Sequence, residues 1–241
     1  MSTAEGGGDI VRDGLVFYVD AANPRSYVSG STIWNDLSRG GNNGTLTNGP
    51  TFNSGNGGSI VFDGTNNYVN NIGNINSFSF IQNTGIYTLS AWVKPAVLGT
   101  NMYFAGNNSG TRSEKGFYFG KQTTNDCWLT ITNGGGSNWV LNHSVANFFL
   151  NTTEWVNVIC VGNGTINQFY RNGIAFGGTS NITNLTTGTS SQVLVLGSIN
   201  NVLAFNYWWS GNISSFQIYN RALSSTEILQ NFNATRARFG V

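Results

Sequence analysis

Hydrophobic and polar residues alternate in short runs along most of this chain, and only one stretch carries a helical spacing. Tyr87–Lys94 is the clearest strand: Leu89, Ala91 and Val93 share one side, Thr88, Ser90, Trp92 and Lys94 the other, and Pro95 ends it. Leu15–Val19 is a nearly continuous apolar run, while Ser59–Phe62 and Asn67–Val69 flank Asp63-Gly64 and read as a hairpin-like pair. Short strands then recur at Met102–Ala105, Gly116–Gly120, Cys127–Thr132, Trp139–Asn142, Trp155–Val161, Ile166–Arg171 and Val193–Leu196. Gly- and Asn-rich turns separate them, as in Arg171-Asn172-Gly173, which is the pattern of a sandwich or barrel. Ala21 onward, through Trp34-Asn35-Asp36-Leu37-Ser38 and Asn42–Leu46, reads as a long polar loop.

Gly211–Phe232 holds a strand, a break and a helix start. Ile213, Phe216, Ile218 and Tyr219 supply β-branched and aromatic residues. Ser224 and Glu227 then stand at capping-box spacing, where the hydroxyl and the carboxylate each satisfy an orphaned backbone N–H. Leu223 and Ile228 can staple that helix start, and Phe232 follows one turn later. The expectation is an all-β protein with one short C-terminal helix.

Charged residues make up only 9 % of the 241, against roughly 25 % in ordinary soluble domains, and the net charge is +1. No basic stripe exists to neutralise phosphates, so nucleic acid and anionic membrane surfaces are excluded as electrostatic partners. No apolar run approaches the length of a membrane span, and the first residues carry no secretory signal. Cys127 and Cys160 therefore read as buried free thiols, with a disulfide between neighbouring strands as the alternative.

Little in the chain points to catalysis. The ten carboxylates are scattered, whereas glycoside hydrolysis needs two held together. His143 is the only histidine and reads as a strand-end side chain, in solvent or bonded to a loop. Calcium is the one cofactor the loops allow, with Asp36 and Asp63 as its candidate ligands; each can equally be a turn residue that bonds its own backbone. For sugar binding, an exposed ring that stacks on a pyranose face is required. Trp208-Trp209 must point to opposite faces of a strand, and Trp139 follows a Gly-rich turn. Trp208 and Trp139 are the candidate glycan-binding residues, against a reading of both as rings packed under a loop or a neighbouring subunit.

Gly14-Leu15-Val16, Trp34–Ser38, Asn43–Leu46, Phe62-Asp63-Gly64, Leu89–Pro95, Trp155–Val158, Tyr170–Gly173 and Ile218–Ser224 recur in an order that resembles the laminin-G-like domains of the concanavalin A-like lectin and glucanase superfamily. The resemblance implies a two-sheet antiparallel jelly-roll β-sandwich and places Trp209 inward, leaving Trp208 exposed. Many relatives carry acidic residues in the last strand, where this chain has Ser214-Ser215, so a metal-supporting carboxylate is missing there. The opening and closing segments look most like the version found in tailed-bacteriophage structural proteins. The division that follows is an N-terminal arm at 1–12, flexible or ordered by a partner, a domain at 13–234 and a tail at 235–241. The function implied is that of a non-enzymatic virion surface protein, a capsid decoration or fibre component with or without glycan binding. Its partners would be other virion proteins, a host-surface glycan or further copies of itself. A free carbohydrate-binding lectin or glucanase-like protein and a purely architectural virion clamp are the alternatives.

Overall fold

A computed structural model of the chain describes residues 9–136, 139–199 and 207–241. Sixteen strands lie among them: β1 Leu15–Asp20, β2 Ile33–Trp34, β3 Gly44–Thr47, β4 Thr51–Asn53, β5 Ser59–Asp63, β6 Tyr68–Ile72, β7 Ile86–Pro95 and β8 Met102–Gly106, then β9 Lys115–Lys121, β10 Cys127–Asn133, β11 Trp139–Val145, β12 Val156–Asn163, β13 Ile166–Arg171, β14 Ile174–Asn181, β15 Leu194–Leu196 and β16 Ser210–Tyr219. Helix α1 spans Phe80–Thr84 and helix α2 spans Ser225–Thr235.

The strands form two antiparallel sheets. One runs β14-β13-β12-β7-β16-β5-β4, with β1 also paired to β16; the other runs β11-β10-β9-β8-β15-β6-β3-β2. Alternate residues of each sheet meet in one core, among them Phe17, Leu89, Val93, Cys160 and Phe216 from the first sheet and Val69, Phe104, Phe117, Phe119 and Leu129 from the second. Of the sandwich or barrel that the alternation allows, this is the two-sheet sandwich with one short C-terminal helix that the family resemblance implies.

The two outer faces differ. On the first sheet, Trp92, Ile159 and Tyr219, on the side of their strands away from the core, are buried beneath α2 and its tail. The helix starts as expected: Ser224 Oγ accepts from the Glu227 backbone N–H, and Glu227 Oε2 accepts from the Ser224 N–H at 2.8 Å. Leu223 and Ile228 pack in one cluster, while Phe232 stacks on Trp92 with centroids 5.8 Å apart. Among the described residues the outer face of the second sheet has no such helix.

Several expectations change in three dimensions. Ser59–Phe62 and Asn67–Val69 are not a hairpin, because β5 pairs with β16 and β4 while β6 pairs with β15 and β3. Asp63 turns the chain from one sheet to the other by accepting three successive backbone N–H groups. The long loop contains three short strands, and β14 was not anticipated because its residues are largely exposed at a sheet edge and it carries Gly177-Gly178.

Both chain-end boundaries also move. Residues 1–8 lie outside the described residues, but 9–12 belong to the domain rather than to an arm: Ile10 is buried and the Val11 N–H donates to Asn231 Oδ1 at 2.8 Å. The expected tail at 235–241 is likewise docked. Thr235 closes α2, Phe239 stacks on Trp92 at 4.0 Å, and Arg238 binds both Asp20 carboxylate oxygens and Ser214 Oγ.

Candidate functional site: an aromatic cluster on the second sheet

In Phe117-Tyr118-Phe119 the period of two sends both phenylalanines into the core and the tyrosine outward. Neighbouring strands repeat the arrangement. Tyr103 on β8 and Trp128 on β10 project to the same side as Tyr118, and Tyr207 reaches them from the segment before β16, its carbonyl accepting from the Tyr103 N–H at 3.1 Å. Tyr103 and Tyr118 meet edge to face at 5.3 Å, Tyr118 and Trp128 at 5.2 Å, and Tyr103 lies 5.6 Å from Tyr207. Gly120 makes this packing possible, since a Cβ there would stand 2.8 Å from the Tyr103 ring and closer still to the Met102 carbonyl.

The strip continues at both ends. Trp139 begins β11 at one side, and at the other Trp208 lies tilted against Tyr68 of β6 with centroids 5.8 Å apart. From β11 to β6 there are five strand spacings, or about 24 Å of sheet. The two tryptophans expected to bind sugar thus stand near opposite ends of one face, both half-buried, and Trp209 is fully buried as expected. Between them, Tyr103 and Tyr118 are each only 3 % exposed, so the rings a ligand can reach there are Trp128 and Tyr207; none of the four was anticipated as a site. Their signal was present in the alternation, which assigns residues to a face without showing whether that face is covered.

Polar groups border the rings in a fixed arrangement. Asn142 Oδ1 accepts from Trp128 Nε1 at 2.8 Å and from Thr130 Oγ1 at 3.1 Å, which commits the oxygen and leaves the amide N–H groups of this exposed residue without a protein partner among the described residues. Burial first, then the neighbouring phenols, pushes the Tyr103 hydroxyl well above its ordinary value; burial does the same to Tyr118 despite its hydrogen bond with Thr130. Both therefore remain neutral hydroxyls at physiological pH. Arg112 lies over Trp139, its guanidinium carbon 4.1 Å from the ring centre.

Nearby carboxylates are held by loops. Glu114 Oε2 accepts from the Ser109 N–H at 2.9 Å, and Asp126 accepts from the Asn147 N–H and the Ser144 hydroxyl. Asp36 takes four hydrogen bonds, from the backbone of Tyr18, Ser38 and Asn42 and from the Ser38 hydroxyl. Burial raises the Asp63 carboxyl, and the N–H groups of Thr65, Asn66 and Asn67 outweigh it, leaving the group below its ordinary value. Both aspartates thus act as turn residues, on different loops, and no three His, Cys, Asp or Glu side chains cluster among the described residues.

His143 departs from expectation. It lies within β11, nearly buried, with its ring against Phe169. The Tyr87 hydroxyl donates to Asn167 Oδ1, so the Asn167 amide N–H faces His143 Nδ1 at 2.9 Å and the ring proton resides on Nε2, toward the Gly178 carbonyl. The histidine bridges the two sheets instead of facing solvent. Cys127 and Cys160 are both buried free thiols on opposite sheets, and burial pushes each well above its ordinary value.

Residues 63–229 match the Laminin_G_3 family model of the concanavalin A-like lectin/glucanases superfamily, and the chain belongs to that family. No curated protein matches it significantly. Among solved structures it is similar to domain 4 of AbnA, an extracellular GH43 arabinanase from Geobacillus stearothermophilus, in complex with arabinotriose (TM-score 0.67, 16 % identity, 92 % of this chain and 99 % of that one). The binding domain of Paraclostridial Mosquitocidal Protein 1 gives TM-score 0.67 at 18 % identity, over 92 % of this chain and 52 % of that one. Trypanosoma rangeli sialidase, with a bound difluorosialic acid, gives 0.64 at 14 % identity, over 93 % of this chain and 33 % of the sialidase. At these identities the likeness is one of fold.

Proposed function

We propose that this protein is a non-catalytic glycan-binding module that receives a saccharide chain along the outer face of the second sheet. The observation that carries the reading is the set of partly exposed rings on this one face, Trp139, Trp128, Tyr207 and Trp208, with the Asn142 amide turned outward beside Trp128. Aromatic faces stack on the apolar faces of sugar rings while amides bond their hydroxyls, and a strip of this length suits several consecutive sugars. Binding without cleavage is favoured because Glu114 and Asp126 are both engaged by loop backbone. A domain of an arabinanase solved with arabinotriose supports the reading at the level of fold.

Trp128→Ala should lower affinity for whichever polysaccharide the protein retains in affinity electrophoresis, by roughly 5- to 30-fold for a lost stacking partner worth about one to two kcal/mol. Unchanged retention of Trp128→Ala, or no retention of the parent protein by any polysaccharide, would overturn the assignment. Display on a phage particle is the setting that the chain's opening and closing segments favour, and mass spectrometry of purified particles tests it: absence of the protein would remove the virion setting while leaving glycan binding intact.

A further inference from the structure

Trp139 is unlike the other rings of the strip, because Arg112 occupies one of its faces. The Arg112 side chain is exposed and forms no salt bridge among the described residues, whereas Arg171, Arg221 and Arg238 are ion-paired. Its backbone is fixed: the Gly136 N–H donates to the Arg112 carbonyl, and the Asn108 amide and its Oδ1 tie the turn at Thr111 just before it. The stacked guanidinium is oriented without its donors being consumed, which leaves a planar fork for a carboxylate or sulfate.

The same indole lines a pocket of about 300 Å³ together with Asn142, Ser180, Asn181, Thr183 and Asn184. Asn142 is also the residue whose amide faces outward beside Trp128, so the pocket adjoins the strip. Asn184 is anchored by its Nδ2 to the Trp139 carbonyl and by its own carbonyl to Asn133. Hydroxyl and amide groups, with Val140 and Leu141, thus line one sugar-sized space beside Trp139, and Arg112, which lies over that ring, stands outside the lining as its cationic neighbour.

We infer that the Arg112–Trp139 corner is an anion subsite that reads an acidic sugar, one bearing a carboxylate or sulfate, within a chain lying on the strip. The inference rests on the glycan-binding reading and specifies its ligand class. A charge-assisted pair at such a site discriminates acidic from neutral sugars by about tenfold or more, and the preference is screened by salt.

The test is a glycan array in which every acidic polysaccharide is printed beside its carboxyl-reduced or desulfated form, probed with the parent protein, Arg112→Gln and Trp128→Ala, each checked for an unchanged thermal midpoint. The expected result is binding to an acidic member about tenfold above its neutral partner, with the excess abolished in Arg112→Gln and binding to the neutral form retained. Loss of the preference on carboxyl reduction would identify a uronate-type ligand, and loss on desulfation a sulfated one. Equal binding to both members of every bound pair, or an acidic preference that survives Arg112→Gln, would overturn the anion subsite while a Trp128→Ala defect upheld the strip. No binding to any printed glycan would overturn the glycan-binding reading and the subsite with it.

Discussion

At the residue scale, the helix start is held by an ionised Glu227. Hydrogen bonds from Arg221 first, and from the Ser224 backbone next, pull its carboxyl down to about 2, below its ordinary 4.5. A carboxyl whose folded value is depressed contributes stability above its unfolded value and loses it as pH falls through the folded one. Stability should therefore decline between about pH 4.5 and pH 2, with the Glu227→Gln variant showing a shallower acid limb in urea titrations. Ser224→Ala removes the hydroxyl that accepts from the Glu227 N–H and should cost about 1 kcal/mol in the same measurement.

His143 gives a second window. Burial lowers it from its ordinary 6.5, and the Gly178 hydrogen bond opposes only part of that shift. Below pH 6.5 the unfolded chain takes up a proton that the folded protein refuses, so stability falls as pH drops toward the folded value. A His143→Gln variant should lack this component; an identical pH profile near neutrality would show that the ring is not as desolvated as its place between the sheets requires.

At the element scale, α2 and the 3₁₀ turn Arg236–Phe239 act as one cover. Phe232 and Phe239 sandwich the outward side of Trp92, whose indole N–H donates to Thr235 Oγ1 at 2.9 Å. Phe232→Ala should cost about 3 to 5 kcal/mol by thermal or chemical denaturation. Arg238→Met leaves the Asp20 carboxylate buried without its guanidinium and should cost a similar 3 to 5 kcal/mol. Adding Asp20→Asn should recover part of that loss, since the unpaired charge is then gone; a double variant no better than the single would assign the cost to lost packing.

Sequence reasoning reached these elements unevenly. The capping box at Ser224 and Glu227 depends on neighbours three residues apart, so it was legible. The ends of the domain were not, because the partners of Val11 and Arg238 are Asn231 and Asp20, more than two hundred residues away. Asp63 was visible as a turn residue, yet whether the turn closed a hairpin or crossed between sheets depended on β16 and β15 pairing with its two flanks.

At the scale of the whole molecule, the alternation along the strands determined the class of fold and the partition of each strand into two faces. It set Trp208 and Trp209 on opposite faces, the family resemblance placing Trp209 inward, and it puts Tyr118 opposite Phe117 and Phe119. Tertiary structure decided which outer face the C-terminal helix covers. Thr88, Ser90 and Trp92 follow the same period of two as Tyr118, Trp128 and Thr130, but α2 covers the first face, and Trp92 is spent on Phe232 and Phe239. The physical reason is that a period of two is a property of one strand's backbone, whereas a binding strip needs several strands side by side and no element laid across them. Strand order and the docking of a helix from the far end of the chain supply both conditions, and neither is encoded locally.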